Sequence, residues 1–487
     1  MNSRTGEGGG LRAGSDRKSS GALHKLLLVG GVLVTIGGGA PAGRAETLAG
    51  ALVKAYANNP IINASRAAVR AADENVPIAN SGYLPTLTAN GNMGAAHYNG
   101  NSILPSGAGP PQDLRFSTGY YPRGYGVQLN QNIFDGFQTI NRIRSAESGV
   151  LESRAGLRSS EQSTLLDGVT AYMDVLRDTA LLDLQRNNVQ VLQEQLRETR
   201  DRFTVGEVTR TDVAQAEASL STAQAQELTA EATLQTSIAH YRQVIGERPT
   251  SLAPVKPISH PLPRTLEESV RISQIEHPQV VGDLHAVDVA ELAVKVAEGK
   301  LYPQVGVQGQ LTQSFDVNSQ PGQRAFIASI IGNVTIPIYQ GGQEYAGIRQ
   351  DKERLSQAQL VLDQDRDAVR RNVVQFWGLN QAQVGVIRAA RASVSANEVA
   401  LAGVREEAKV GQRTTLDVLN AQQALLQARN QLVTAERDAV VYSYSLLSAV
   451  GRLNAPTLAL AVDEYDPRVH FNQVKSKLWG LRTPDGK

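Results

Sequence analysis

The chain has 487 residues, 48 Lys or Arg against 47 Asp or Glu, 41% apolar and 5% aromatic side chains, and no cysteine. Without cysteine there can be no disulfide, thiol nucleophile, Cys-ligated metal or lipid-modified N-terminal Cys. A net charge near zero with no strong basic patch argues against nucleic acid as a partner. An apolar set rich in Ala, Val and Leu suits long thin helices packed through small side chains better than a thick globular core.

Residues 1–45 read as a signal peptide. Arg12, Arg17, Lys18 and Lys25 precede an apolar run over 26–36, and Gly43 and Ala45 are the small residues a signal peptidase needs before Glu46. A membrane anchor is the alternative, but the run falls short of the ~20 residues a span requires. Removing this segment, with its six Lys/Arg and two Asp/Glu, leaves 42 basic against 45 acidic side chains, net −3.

Residues 46–80 carry a helical period, with Leu48, Leu52, Ala55 and Tyr56 on one face. Asn59-Pro60 interrupts it, because the residue before Pro avoids the α region. The pattern returns over 265–298: Thr47-Leu48, Pro60 and Tyr83-Leu84-Pro85 match Thr265-Leu266, Pro278 and Leu301-Tyr302-Pro303, all 218 residues apart. After each of those later prolines the period changes from 3.6 to 2. Strands are expected over 84–98, 121–134, 303–315 and 326–339, each apolar on one face and polar on the other. Asn130, Asn132, Gln304, Gln308 and Gln310 fall on the polar face; Val127, Leu129, Val305 and Val307 fall on the apolar one. Length and alternation suit strands that cross an outer membrane beside a wet lumen. Tyr83, Tyr120, Tyr121, Phe134, Tyr302, Phe315 and Tyr339 cluster at their ends, where interfacial aromatics belong. A soluble β-sandwich with one wet face is the competing interpretation. Residues 99–119, rich in Gly, Pro, Ser and Asn, read as a loop whose counterpart, 316–325, is shorter.

Helical periodicity then runs over 137–205 and again over 343–410, each stretch ~100 Å long at 1.5 Å per residue. Each ends in a tip: Val205-Gly206-Glu207-Val208-Thr209-Arg210-Thr211-Asp212, and, 205 residues on, Val410-Gly411-Gln412-Arg413-Thr414-Thr415-Leu416-Asp417. A Gly followed by Thr and Asp inside a helical run reads as one helix's C-cap and the next one's N-cap, the tip of an αα-hairpin. Heptads continue on both sides of the tips. Leu182, Val189, Leu196 and Phe203 are seven apart, as are Val418, Leu425, Leu432, Ala439 and Leu446, with Ala216, Ala223 and Ala230 on a small-residue seam. The shorter helices after each tip and before each strand pair together match one long helix, so they should stack end to end beside it. Residues 247–264, with Pro249, Pro254, Pro257, Pro261 and Pro263, read as an extended strap. Four strands cannot close a barrel, so membrane strands require several copies of the chain to share one.

The tip motifs, Asn59-Pro60, Tyr83-Leu84-Pro85 with Tyr302-Pro303, and the junctions Ile133-Phe134-Asp135-Gly136 and Ile338-Tyr339-Gln340-Gly341 keep their order and double spacing over nearly all of residues 46–452. In this the chain resembles the TolC family of outer-membrane channel-tunnel proteins, most of all its BepC-type members. The resemblance implies an α+β membrane protein: coiled-coil helical hairpins plus four amphipathic transmembrane strands per chain. A homotrimer would form a twelve-stranded β-barrel and a periplasmic α-barrel. The domains are then a leader (1–45), a first repeat (46–246), the strap (247–264), a second repeat (265–451) and a C-terminal tail (452–487) near the equatorial region. The implied function is passive exit duct of a tripartite efflux pump or type I secretion system. Its implied partners are outer-membrane lipid, a periplasmic adaptor and, through it, an inner-membrane transporter.

By the same resemblance Val205, Gly206, Glu207, Val410, Gly411 and Gln412 dock the adaptor. Thr211, Asp212 and Arg413 tie neighbouring tip helices together at a periplasmic gate, and Asp417 points into the constriction. Asn420 departs from the family pattern, standing where a second aspartate would double the ring charge. A simpler role for Asp212 and Asp417 is capping alone. No catalytic residue, metal site or cofactor is expected; His277 and His285, for example, are eight apart rather than at a metal-ligand spacing. A periplasmic coiled-coil adaptor is the alternative function, although such proteins usually carry one hairpin and no wet-lumen strands.

Overall fold

The structure, a computed structural model, describes residues 45–104 and 112–486. The expected leader lies outside the described residues, apart from Ala45. The interrupted first helix resolves into α1 (Leu48–Asn58), α2 (Pro60–Asp73) and α3 (Asn75–Asn80). Thr47 caps α1, accepting from Gly50 N at 3.2 Å, and Asn59 caps α2 with Pro60 in its first turn. The second break, at Glu74, was not expected. Its cause is Pro77, which lacks the N–H that would reach the carbonyl of Asp73.

Strands β1 (Thr86–Met93) and β4 (Arg123–Phe134) flank a separate antiparallel hairpin, β2 (Ala96–Leu104) and β3 (Gln112–Tyr120). That hairpin corrects the expectation of a plain loop over 99–119. Two unbroken strands tolerate the Gly and Asn content because they pair with each other, Asn99 opposite Ser117, outside the main sheet.

The chain continues through α4 (Gln138–Thr204), α5 (Arg210–Ile245), α6 (Leu266–Glu276), α7 (Pro278–Gly299), β5 (Gln304–Phe315), β6 (Arg324–Thr335), α8 (Gln343–Lys409), α9 (Thr415–Val450) and α10 (Pro467–Val474). In the long hairpins the repeat is carried into the structure residue for residue: α4 and α8 have 67 residues each, α5 and α9 have 36. At the strand-to-helix junction Gly136 takes φ +69°, and a Cβ there would lie 2.1 Å from the Gly299 carbonyl. Only glycine meets both demands.

The end-to-end stacking is visible where α5 meets α1 and α2. The Asn59 amide donates to the Val244 carbonyl, one of the last of α5, at 2.9 Å. In the second repeat Arg452, just past α9, forms a two-bond ion pair with Glu276 at the end of α6, both contacts 2.7 Å. Around the first of these junctions lies the thickest core. Leu52, Leu165, Val169, Tyr172, Tyr241, Ile245, Leu447 and Leu453 are all buried there. Strap residues Leu252, Val255, Ile258 and Leu262 and tail residues Leu458 and Leu460 pack against it. The strap is extended, joined to Glu46 by a parallel bridge at Leu252. Elsewhere the helices bury thin seams: Val189, Leu192 and Ala223 with Leu419, and Leu401 and Ala408 with Val418 and Leu425. The heptad positions Leu182, Val189 and Leu196 are buried, but Phe203, the last of that row, is exposed at the tip. The two hairpins are joined by Asp174 of α4 and Arg437 of α9, 2.9 Å apart.

Candidate functional site

The residues singled out from the sequence fall in two regions, the sheet and the tips. The sheet is antiparallel in the order β1-β4-β5-β6. Residues paired directly across an antiparallel ladder share a face. The register pairs Thr86 with Asn130 and Asn130 with Gln308, Gln128 with Gln310, Asn132 with Gly306, and Gln304 with Thr335. Asn130, Asn132, Gln304, Gln308 and Gln310 therefore share one polar face. The other face pairs Leu87 with Leu129, Val127 with Leu311, and Val305 and Val307 with Val334 and Gly332. A bulge at Ile133 shifts the register so that Phe134 opposes Val305. The extra residue returns the aromatic ring to the apolar face. Ile327 and Ile331, opposite Thr312 and Gln308, are apolar residues on the polar face of β6; nothing in the structure explains them. The apolar face is exposed at Leu87, Tyr125, Leu311, Phe326, Ile330 and Val334.

The tips repeat one construction. At the first, Gly206 takes φ +82°; its N–H donates to Phe203 O at 3.0 Å, and Glu207 N donates to Arg202 O at 2.9 Å. At the second, Gly411 takes φ +79°; its N–H donates to Ala408 O at 3.3 Å, and Gln412 N donates to Glu407 O at 2.9 Å. This pair of bonds satisfies the last free carbonyls of a helix, and the left-handed residue it needs favours glycine. The returning helices start with reciprocal caps. Thr209 N donates to Asp212 Oδ2 at 2.8 Å and Asp212 N donates to Thr209 Oγ1 at 3.3 Å; for Thr414 and Asp417 the distances are 3.0 and 3.2 Å. The Thr209 hydroxyl and N–H hold the Asp212 carboxyl below its ordinary range, and the Thr414 N–H and hydroxyl do the same for Asp417.

Each tip also carries one Arg–Glu bracket, with the charges transposed: Arg202 on the long helix holds Glu207 in the turn at 3.0 Å, and Glu407 on the long helix holds Arg413 at 2.9 Å. Within the protomer Arg413 is therefore engaged by Glu407, not by Thr211 or Asp212. Thr211 and Asn420 are exposed, and Val205 and Val410 are each 71% exposed. Arg202 and Glu407 were not singled out from the sequence. Their signal is there, since opposite charges flank each tip glycine at the positions its turn brings together. Among the described residues no group of His, Asp and Glu is arranged to hold a metal ion, and no helix is long and apolar enough to cross a membrane.

Residues 51–247 and 272–452 match the family model described as outer membrane efflux protein. The chain belongs to the outer membrane efflux protein family. It is 44% identical over 442 residues to the outer membrane efflux protein BepC of Brucella suis, spanning 91% of this chain and 93% of that one. To the outer membrane protein TolC of Escherichia coli it is 25% identical over 468 residues, spanning 90% and 88%. The fold superimposes on the CmeC outer membrane channel of Campylobacter jejuni with a TM-score of 0.72, over 88% of this chain and 89% of that one, at 16% identity. The efflux protein is thus a channel of the outer membrane extending into the periplasm, of the class that serves tripartite pumps and type I secretion, and a transporter rather than an enzyme. The sheet is its membrane element and the helical hairpins its periplasmic one.

Proposed function

We propose that three copies of the chain share one barrel and form a passive duct, whose tips are both the adaptor-docking surface and the gate. The observation that carries this is the four-stranded sheet with one apolar face and two free edges, β1 and β6. Open sheet edges do not survive in hydrocarbon. Joining β6 of one copy to β1 of the next removes them. Two copies would give eight strands, a barrel whose interior side chains fill it. Three copies give twelve and are the smallest number that leaves a lumen. Asn130, Asn132, Gln304, Gln308 and Gln310 then line that lumen. Because the chain has no native cysteine, a Thr88→Cys, Ser329→Cys variant tests the closure directly. Cross-linking in outer membranes should give a ladder that ends at three copies; a ladder ending at two, or monomer alone, rejects it.

The adaptor surface comprises Val205, Gly206 and Glu207 with Val410, Gly411 and Gln412, and the inner-membrane transporter is reached through the adaptor. A Cβ at Gly206 or Gly411 would meet nothing within 4 Å in the protomer. Asn tolerates the left-handed region better than other residues with side chains. Gly206→Asn or Gly411→Asn should therefore keep the tip folded while obstructing a partner. Lost export with intact trimers supports docking here, and full export rejects it.

The gate uses Arg413, which leaves Glu407 to bridge to Thr211 and Asp212 of a neighbouring hairpin. Asp417 of each copy forms an anionic ring, and Asn420 leaves that ring at half the charge of a paired-aspartate constriction. Asp417→Ala should lower cation selectivity in planar bilayers; unchanged selectivity rejects the ring.

A further inference from the structure

The tail is not spent at the equator. After Leu453, Leu458 and Leu460 join the central core, it climbs beside α1–α3. Tyr465 N lies 3.5 Å from the Tyr56 hydroxyl. The Arg66 guanidinium stacks on both the Tyr56 and Tyr465 rings, 4.7 and 5.4 Å from their centroids. Further on, His470 Nδ1 sits 2.9 Å from the buried Asp73 carboxyl, and the Asn80 amide donates to the Lys475 carbonyl at 3.4 Å. Tail residues 465, 470 and 475 thus meet residues 56–66, 73 and 80 in ascending order. Asn80 is the last residue of α3, six residues before β1 begins at Thr86.

The next segment, Lys475-Ser476-Lys477-Leu478-Trp479-Gly480-Leu481-Arg482, is built as a turn. Lys477 N donates to Val474 O at 2.9 Å, Lys477 Nζ donates to Arg482 O at 2.6 Å, and Gly480 takes φ +114°. Asp485 then returns to α2, 3.3 Å from Arg70. Leu478, Trp479 and Leu481 project from this turn, 69%, 88% and 103% exposed. Three cations and no acid accompany them in the segment. At the same end of the helices, where the strands begin, Tyr83, Leu84, Phe137 and Tyr302 are exposed as well.

We propose that the Leu478-Trp479-Leu481 turn is a membrane-interface anchor that inserts into the periplasm-facing phospholipid leaflet of the outer membrane, with Lys475, Lys477 and Arg482 at the level of the lipid phosphates. Three observations select a lipid surface over another protein. The turn begins beside Asn80, where α3 ends and six residues before the first membrane strand, so it starts next to an interface the channel already has. Trp and Leu framed by Lys and Arg, with the apolar bodies out and long cationic stems beside them, is interfacial chemistry. The turn is also held from both sides, by Asn80 and by Arg70, so the insertion costs little further ordering. In a chain with no cysteine to carry a lipid, the turn supplies a contact between the periplasmic body and the bilayer that the strands do not make.

The inference rests on the outer-membrane placement, and the test separates the two. The chain has two tryptophans; Trp377 packs beside Ile272, Leu446 and Val450. In full-length Trp377→Phe protein, Trp479 is the only tryptophan left to emit. In phosphatidylethanolamine–phosphatidylglycerol vesicles with brominated acyl chains, its emission should fall roughly two-fold against unbrominated vesicles, as for a side chain at the interface. A second variant, Trp377→Phe, Trp479→Phe, Ile330→Trp, reports the apolar face of the sheet. Quenching at position 330 without quenching at 479 overturns the anchor and leaves the barrel standing. No quenching at either position overturns the membrane placement and the anchor with it. Blue-shifted Trp479 emission that is indifferent to bromine means the turn packs on a second copy of the chain, and also overturns the anchor.

Discussion

The equator and the tips use the same long helices and hold them in opposite ways. At the equator α1, the middle of α4, the ends of α5 and α9, the strap and the tail enclose Leu52, Leu165, Tyr172, Tyr241 and Leu447 with almost no exposure. Area burial of that kind is lost only by unfolding. At the tips the heptad row runs out: Phe203, Val205, Val410 and Leu416 are exposed. Beyond the last seam residues, such as Ala408 and Val418, what remains in each turn is a glycine, a cap and an Arg–Glu bracket. Exposed ion pairs are worth ~1 kcal/mol or less and caps about 1 kcal/mol. A tip can therefore exchange its polar partners without disturbing the equator, which is what a gate requires.

The sharpest way to break the comparison is Tyr172→Ala. The ring is fully buried, and its hydroxyl lies 2.7 and 2.8 Å from the carbonyls of Glu46 and Ala253, where strap and α1 meet. Removing it should cost ~3–5 kcal/mol, seen as a large fall in the melting temperature followed by circular dichroism. Phe203→Ala at the tip should stay within about 0.5 kcal/mol; equal losses would mean that the tip is as much a core as the equator.

The sheet comes next. Ile330→Lys on the apolar face should cost ~2–4 kcal/mol near mid-membrane, against little for Gln310→Lys on the polar face. Heat-modifiable gel mobility of the assembled channel reads the difference, and equal tolerance would argue against a membrane barrel.

A third effect separates the α7–α8 seam from the rest through pH. Gln279 Nε2 donates to Asp283 at 3.2 Å and to Asp365 at 3.0 Å, while Asp283 Oδ2 is buried without a donor. Burial first, then the neighbouring Asp365, pushes the Asp283 carboxyl up to about 6, and Glu152 adds to it. The folded state keeps a proton that the unfolded chain releases near 4. Stability from this site therefore falls as pH rises from about 4 to about 6. Asp283→Asn should flatten that part of the melting-temperature profile and stabilise the protein at pH 8; an unchanged profile refutes the shared proton.

Smaller still are the caps. Thr209→Ala or Thr414→Ala should cost about 1 kcal/mol, confined to faster amide exchange in the tip with the global melting temperature held. The depressed Asp212 and Asp417 carboxyls give the sign for acid. Their stabilisation is complete above the unfolded value near 4 and disappears as pH falls through the lower folded values. The least effect on stability belongs to Arg413→Ser, which breaks an exposed pair with Glu407. Its single-channel conductance should nevertheless rise if Arg413 ties hairpins in the closed state. Wild-type conductance would leave Arg413 a bracket of its own tip.

Several of these contrasts were legible in the chain. The glycine and Thr-x-x-Asp spacing specified both tips, because a left-handed C-cap and a reciprocal N-cap are local geometry. The alternation of Val305 and Val307 with Gln304 and Gln308 specified the two faces of the sheet, because the strand period is two. Composition misled at 99–119, where pairing between β2 and β3 overrode a Gly- and Asn-rich content. It was also silent at Pro77, whose break in the helix depends on one missing donor.

What the sequence determined by itself was therefore everything that repeats or caps: two hairpins of equal length, their tips and the alternating faces of the membrane strands. These follow from interactions between residues near in sequence or periodic along it. The tertiary structure alone decided which charges meet. Arg413 turns to Glu407, Arg437 reaches Asp174, Asp283 faces Asp365, and the tail climbs past Asp73 to meet Asn80 at the end of α3. Those partners are settled by how helices distant in sequence are brought side by side, and no local period encodes that.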